Sequence, residues 1–131
     1  MTRVLIVDDS PTIRRMVKVS LGSLPAPTEF IEAASGLEAI ERLAIGPVDL
    51  IVLDLNMPDL HGLEVLGFVR SHERYRSLPV IVLTTRGDDS SRQAALQGGA
   101  SAYLTKPFTP AVLAAEVSRL LGSTASPGAA K

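Results

Sequence analysis

Five polar residues follow four short apolar runs in the chain. Asp8 and Asp9 follow Val4–Val7, Asp54 follows Leu50–Leu53, Thr84 follows Val80–Leu83, and Lys106 follows Ala102–Leu104 and Thr105. Runs of this length without polar alternation read as strands covered on both faces, as in a parallel sheet. In such a sheet all the carboxyl ends lie along one edge, so residues distant in sequence can meet there. Three carboxylates, one hydroxyl and one ammonium would then share a crevice. Three acids held close repel one another and resist joint ionisation unless a cation offsets their charge. The chain has no cysteine and only two histidines, so an all-oxygen site would select a hard ion, Mg2+ with Mn2+ as the alternative, over zinc. An ammonium and a hydroxyl suit the oxygens of a phosphoryl group.

Positioning these residues requires alternating strands and helices. The apolar runs are separated by longer segments whose apolar residues recur every three or four positions, the pattern of βαβ units. The expected class is therefore α/β, with helices on both faces of a parallel sheet. Thr28–Ala33 carries Glu29 and Glu32, which fits a sheet edge that must resist pairing with another chain. Ser10 and Pro11 announce the first helix as N-cap and first helical residue, with Ile13, Met16, Val17, Leu21 and Leu24 as its buried stripe. Leu37, Ile40 and Leu43 predict a second helix stopping at Gly46-Pro47, and Leu63, Leu66 and Val69 a third beginning after Gly62. The fourth has only the small apolar face of Ala94, Ala95 and Leu96 before Gly98-Gly99, which predicts light packing and mobility. In the fifth, Thr109 caps, Pro110 takes the first position and Phe108 packs on Leu113 as a hydrophobic staple.

At 131 residues the chain is long enough for a single core. One domain is expected over 1–122, with 123–131, small and polar, as a disordered tail or truncated linker. Thirteen basic against fourteen acidic residues leave a net charge of −1, so no global field draws the chain to nucleic acid or an anionic membrane. No apolar stretch approaches the roughly 18–20 residues of a membrane span. The N-terminus leads into a strand-like segment rather than a signal peptide, which makes the cytoplasm the expected address.

Four motifs in order, Val7-Asp8-Asp9-Ser10, Asp54-Leu55-Asn56-Met57-Pro58, Leu83-Thr84-Thr85 and Lys106-Pro107-Phe108, resemble those of the receiver domain of two-component response regulators. The stand-alone type related to the chemotaxis regulator is the most similar. Spacing agrees as well, with 45 residues from Asp9 to Asp54, 30 on to Thr84 and 22 more to Lys106. The resemblance covers Val4 to about Leu121. It implies a five-stranded flavodoxin-like sheet of order 2-1-3-4-5, which opens the crevice between strands one and three.

The resemblance further implies that Asp54 accepts a phosphoryl group from a histidine kinase. Asp9, Asp54 and the backbone carbonyl of Asn56 would hold Mg2+, with Asp8 acting directly or through water. Lys106 and Thr84 would contact the phosphoryl oxygens, and Tyr103 would swing inward and change the face built from helix four, strand five and helix five. Asn56 and Arg86 occupy positions that tune the phosphoryl lifetime, and a cis Lys106-Pro107 bond is expected to aim the lysine inward. His61 replaces a frequent Asp before Gly62, whereas His61 and His72 alone read as exposed residues flanking helices.

The implied output is binding of a downstream protein target, because the ten residues after Leu121 hold no DNA-binding or catalytic domain. No direct nucleic-acid contact and no membrane insertion is expected, and the chain would be a monomer or a weak phosphorylation-dependent dimer. A receiver cut from a hybrid kinase or multidomain regulator is the alternative. A metal-dependent phosphatase would want an acid where Asn56 stands, and a flavin-binding module would find its phosphate repelled by Asp8 and Asp9.

Overall fold

The computed structural model describes residues 2–25 and 27–125. Its elements alternate strictly: β1 (Thr2–Val7), α1 (Pro11–Leu21), β2 (Thr28–Ala33), α2 (Gly36–Ile45), β3 (Leu50–Leu53), α3 (Gly62–Ser71), β4 (Val80–Thr84), α4 (Asp89–Gln97), β5 (Ala102–Thr105) and α5 (Pro110–Ala125). The five strands are parallel in the order β2-β1-β3-β4-β5, so the strand with two glutamates does lie at an edge. Among the described residues no helix is long and apolar enough to cross a membrane.

Alternation along the strands divides the core between the two faces. Leu5, Val7, Ile51, Leu53 and Val80 pack with Ala39 and Leu43 of α2 and with Val65, Leu66 and Val69 of α3. Val4, Ile6, Leu50, Val52, Ile81 and Leu83 face the other way, against Val17 and Leu21 of α1 and Leu113 and Val117 of α5. A small third cluster joins Leu55, Val82, Ala95 of α4 and Tyr103 of β5. Strands buried on both sides explain why β1, β3 and β4 read as continuous apolar runs.

The helix boundaries follow their local signals. The Ser10 side chain accepts the Ile13 N–H at 3.2 Å and Pro11 begins α1; Gly46 closes α2. Pro110 begins α5, whose first turn closes from Leu113 N–H to the Thr109 carbonyl at 3.1 Å, with Phe108 half-buried beside the cluster that contains Leu113. That helix continues through Ala125, three residues past the expected domain end at 122; the rest of the expected tail, 126–131, lies outside the described residues.

Helix rotation departs from the expected stripes in three places. In α1, Met16 is 42% exposed while Ser20 is buried, because Ser20 satisfies its hydroxyl on the Met16 carbonyl at 2.8 Å and its small side chain permits close packing. In α2, Leu37 is 58% exposed and the buried face is Gly36, Ala39 and Leu43. The cause is Gly36, where a Cβ would come within 2.7 Å of the Leu60 Cβ; that close approach turns the next residue outward. In α4 only Ala95 is buried, since consecutive helical residues lie about 100° apart and cannot share one face.

Candidate functional site: an acidic crevice at the carboxyl edge of the sheet

Register carries the acids together. Val7 pairs with Leu53, so the next residues, Asp8 and Asp54, leave neighbouring strands side by side, and the Asp54 N–H bonds the Val7 carbonyl at 2.9 Å. Asp8, Asp9 and Asp54 each offer a carboxylate oxygen within 4.8 Å of the others. Asp8 and Asp54 are buried and Asp9 is exposed. On the far side, Thr84 pairs with Thr105, and the Lys106 N–H bonds the Thr84 carbonyl at 2.8 Å. The Lys106-Pro107 bond is cis.

Lys106 reaches the acids across 98 residues of sequence. Its Nζ lies 2.7 Å from Asp8 Oδ2 and 3.6 Å from Asp54 Oδ1, and its side chain is largely buried. The other Asp8 oxygen accepts the Ser10 N–H at 2.9 Å. Asp54 accepts a backbone hydrogen bond from Asn56, an exposed residue in the turn that follows. Burial pushes the Asp54 carboxyl above the usual carboxylate range, with the Asp8 charge next in importance, while Lys106 opposes the shift. One ammonium against three acids leaves an excess of negative charge that a hard cation fits, and oxygen is the only donor type present.

Thr84 is fully buried, and its Oγ1 accepts the Arg86 N–H at 3.3 Å. Tyr103 stands apart from the acids in the Leu55–Val82–Ala95 cluster. The resemblance implies an inward swing, but the ring is already turned inward. Its hydroxyl donates to the Arg86 carbonyl, the Arg92 guanidinium lies 5.8 Å above it, and burial followed by the Asp88 charge raises its pKa. Arg86 thus links the hydroxyls of Thr84 and Tyr103 through its own peptide groups, while its side chain lies 3.7 Å from Asp88. A pocket of about 210 Å³ opens between α3 and α4, with His61, Arg86, Ser90 and Ser91 in its wall.

Three supports escaped sequence reading. Gly62 N–H bonds the Leu55 carbonyl at 2.8 Å, and a Cβ there would run into the Asp54 carbonyl and stand 2.6 Å from Leu55 Cα; the approach of α3 to the acid requires glycine. Asp59 accepts the Gly36 and Leu37 N–H groups at 3.1 and 3.0 Å, joining the loop after Asp54 to the start of α2. His61 caps α3, its Nδ1 accepting the Leu63 N–H at 3.1 Å while Glu64 takes the His61 N–H at 3.1 Å. Imidazole therefore does the capping work of the more frequent carboxylate. Only the last had a sequence signal, the Glu three residues after His61.

The family described as response regulator receiver domain matches residues 4–118. The chemotaxis protein CheY homolog of Campylobacter jejuni is 38% identical over 130 residues, covering 98% of this chain and 99% of that one. The structure of chemotaxis response regulator CheY4 of Vibrio cholerae superposes with a TM-score of 0.81 at 36% identity, covering 92% of this chain and 98% of the other. The Mn2+-bound form of response regulator Rcp1 gives 0.82 at 28% identity, with 92% and 95% covered. With its order of strands, its acidic crevice and these matches taken together, the chain belongs to the response regulator receiver domain family, in its CheY-like form.

Proposed function

We propose that the chain is a phosphorylation-controlled switch with Asp54 as acceptor. The observation that carries this reading is the convergence of Asp8, Asp9 and Asp54 with the buried ammonium of Lys106 at one end of the sheet. An Asp54 carboxylate oxygen attacks the phosphorus of a phosphohistidine on the kinase. The P–O bond forms as the P–N bond breaks, and the imidazole leaves with the electron pair and takes a proton. Asp8, Asp9, Asp54 and the Asn56 carbonyl would hold Mg2+, with Mn2+ as the alternative, a fit supported by the all-oxygen donor set and its uncompensated charge. Such an ion, when bound, neutralises the carboxylate and the incoming phosphoryl oxygens. Lys106 turns from Asp8 toward the phosphoryl group as a point charge, and Thr84 rotates to donate its hydroxyl to a phosphoryl oxygen, a movement that carries its Oγ1 away from the Arg86 N–H.

The output is regulatory rather than catalytic. Loss of the Thr84–Arg86 bond alters the segment that also holds the Tyr103 hydroxyl, and with it the surface of α4, β5 and α5 offered to a protein target. Asn56, whose backbone bonds the acceptor, and Arg86, two residues past Thr84, would set the lifetime of the phosphoryl group. The CheY homologues among its relatives support a chemotaxis role, for which the cytoplasm is the proposed location. Incubation with Mg2+ and a small phosphodonor is expected to add one phosphoryl group by intact mass, and Asp54→Ala none. No addition, or equal addition to the variant, overturns the assignment.

A further inference from the structure

Behind the turn that presents Asp8 and Asp9 lies a chain of charges on α1 and β2 that takes no part in the crevice. The Arg14 Nη1 donates to the Asp8 carbonyl at 2.6 Å and its Nε to Glu32 Oε1 at 2.8 Å. Lys18 Nζ holds the second Glu32 oxygen at 2.7 Å. Glu32 is registered opposite Ile6 on β1, and the next residue, Ala33, accepts the Asp8 N–H at 3.1 Å. The backbone of Asp8 is therefore gripped at its N–H by the edge strand and at its C=O by an arginine anchored to the same strand. Only 16% of the Arg14 side chain is exposed, and its fork is used in two directions at once, which a lysine cannot reproduce. Hydrogen bonds from Lys18 and then Arg14 hold the Glu32 carboxyl below the usual carboxylate range, which keeps the anchor anionic.

We infer that Arg14, oriented by Glu32, is a positioning residue for the divalent-cation site: it fixes the peptide between Asp8 and Asp9 so that both carboxylates face Asp54. The inference rests on the reading of these three acids as a metal site. Geometry and charge make opposite demands at Arg14, and that separates them. By charge alone, removing a guanidinium beside a cation site strengthens cation binding, whereas removing the Glu32 carboxylate weakens it. Positioning requires that both removals weaken it.

The test is calorimetric titration of Mg2+ into the unphosphorylated protein, comparing the natural chain with Arg14→Gln, Arg14→Lys and Glu32→Gln. Loss of a group that orients a metal ligand typically costs about 10–100-fold in metal affinity. Arg14→Gln and Glu32→Gln are each expected to weaken Mg2+ binding within that range, and Arg14→Lys to restore it only in part. A merely structural role would lower the metal-free melting temperature and leave the affinity of the folded variant unchanged. Unchanged or tighter binding by Arg14→Gln, with normal binding by the natural chain, overturns the inference alone. Absence of Mg2+ binding by the natural chain overturns the metal site and the inference together. If Arg14→Gln fails to fold, Arg14→Lys decides the matter, because it keeps the charge and removes only the fork; unchanged affinity overturns the inference.

Discussion

The two sides of the crevice are held in different ways. On the β1–β3 side Asp8 is fixed through its N–H, its C=O and both carboxylate oxygens, by Ala33, Arg14, Ser10 and Lys106. On the β4–β5 side, α4 buries only Ala95, and Tyr103 is held through a hydroxyl bond to Arg86 and an arginine lying over its ring. A segment with few buried apolar contacts opens at lower free energy than its surroundings. The acids are thus fixed by the fold itself, whereas α4, on the surface that would report any chemistry, is anchored by one buried residue, Ala95. The proposed switch would use this division by coupling a firmly held site to a segment that can change its packing.

The sharpest way to break the contrast is to loosen the rigid side. Gly62→Ala places a methyl against the Asp54 carbonyl and Leu55 Cα, backbone atoms that cannot turn aside. We expect a loss of about 3–5 kcal/mol in urea denaturation, at the severe end of single substitutions, together with loss of Mg2+ binding. A loss below about 1 kcal/mol would show that α3 moves freely against the acid.

A smaller effect, of opposite sign, is expected at Asp54. Its carboxyl pKa is raised in the fold, so the folded chain binds this proton more tightly than the unfolded one. The corresponding stability is fully present below the unfolded pKa and is lost as pH rises through the raised folded value. At neutral pH with a chelator present, Asp54→Asn should therefore be more stable than the natural chain by about 1–3 kcal/mol, the range for relieving an unfavourably buried group. The gain should shrink toward zero in acid. A gain that is the same at both pH values would place its origin elsewhere.

The smallest effect is expected on the loosely held side. Asp88 caps α4 by accepting the Ser91 N–H at 3.0 Å, and Asp88→Ala should cost about 1 kcal/mol. Amide hydrogen exchange should then quicken roughly fivefold in α4 and stay unchanged in β1 and α1. Faster exchange throughout the protein would mean that α4 opens only with the whole fold, and the two sides would no longer differ.

Much of this arrangement is legible from residue order. Continuous apolar runs identify the central strands, the glutamates of Thr28–Ala33 the edge, and Ser10-Pro11, Gly46-Pro47 and Gly98-Gly99 the helix limits, because each is a local preference of backbone or burial. The acids and the lysine are legible for a related reason: parallel strands bring their carboxyl ends to one edge whatever lies between them. Helix rotation is less legible. Leu37 and Met16 have the correct period for a core stripe, yet Gly36 against Leu60 and Ser20 bonded to its own helix select neighbouring faces.

Residue order is enough to specify an α/β fold, the ends of its strands and the chemical types gathered there. Tertiary structure alone decided that Lys106 pairs first with Asp8, that Tyr103 already lies inward over the Arg86 carbonyl, and that Arg14 grips the acidic turn from behind. The physical reason is range. Alternation, capping and chain reversal are settled among residues a few positions apart, whereas Lys106 and Asp8 are separated by 98 positions and Arg14 and Glu32 by 18. Which of several nearby partners a long charged side chain takes depends on elements that meet only when the sheet has formed.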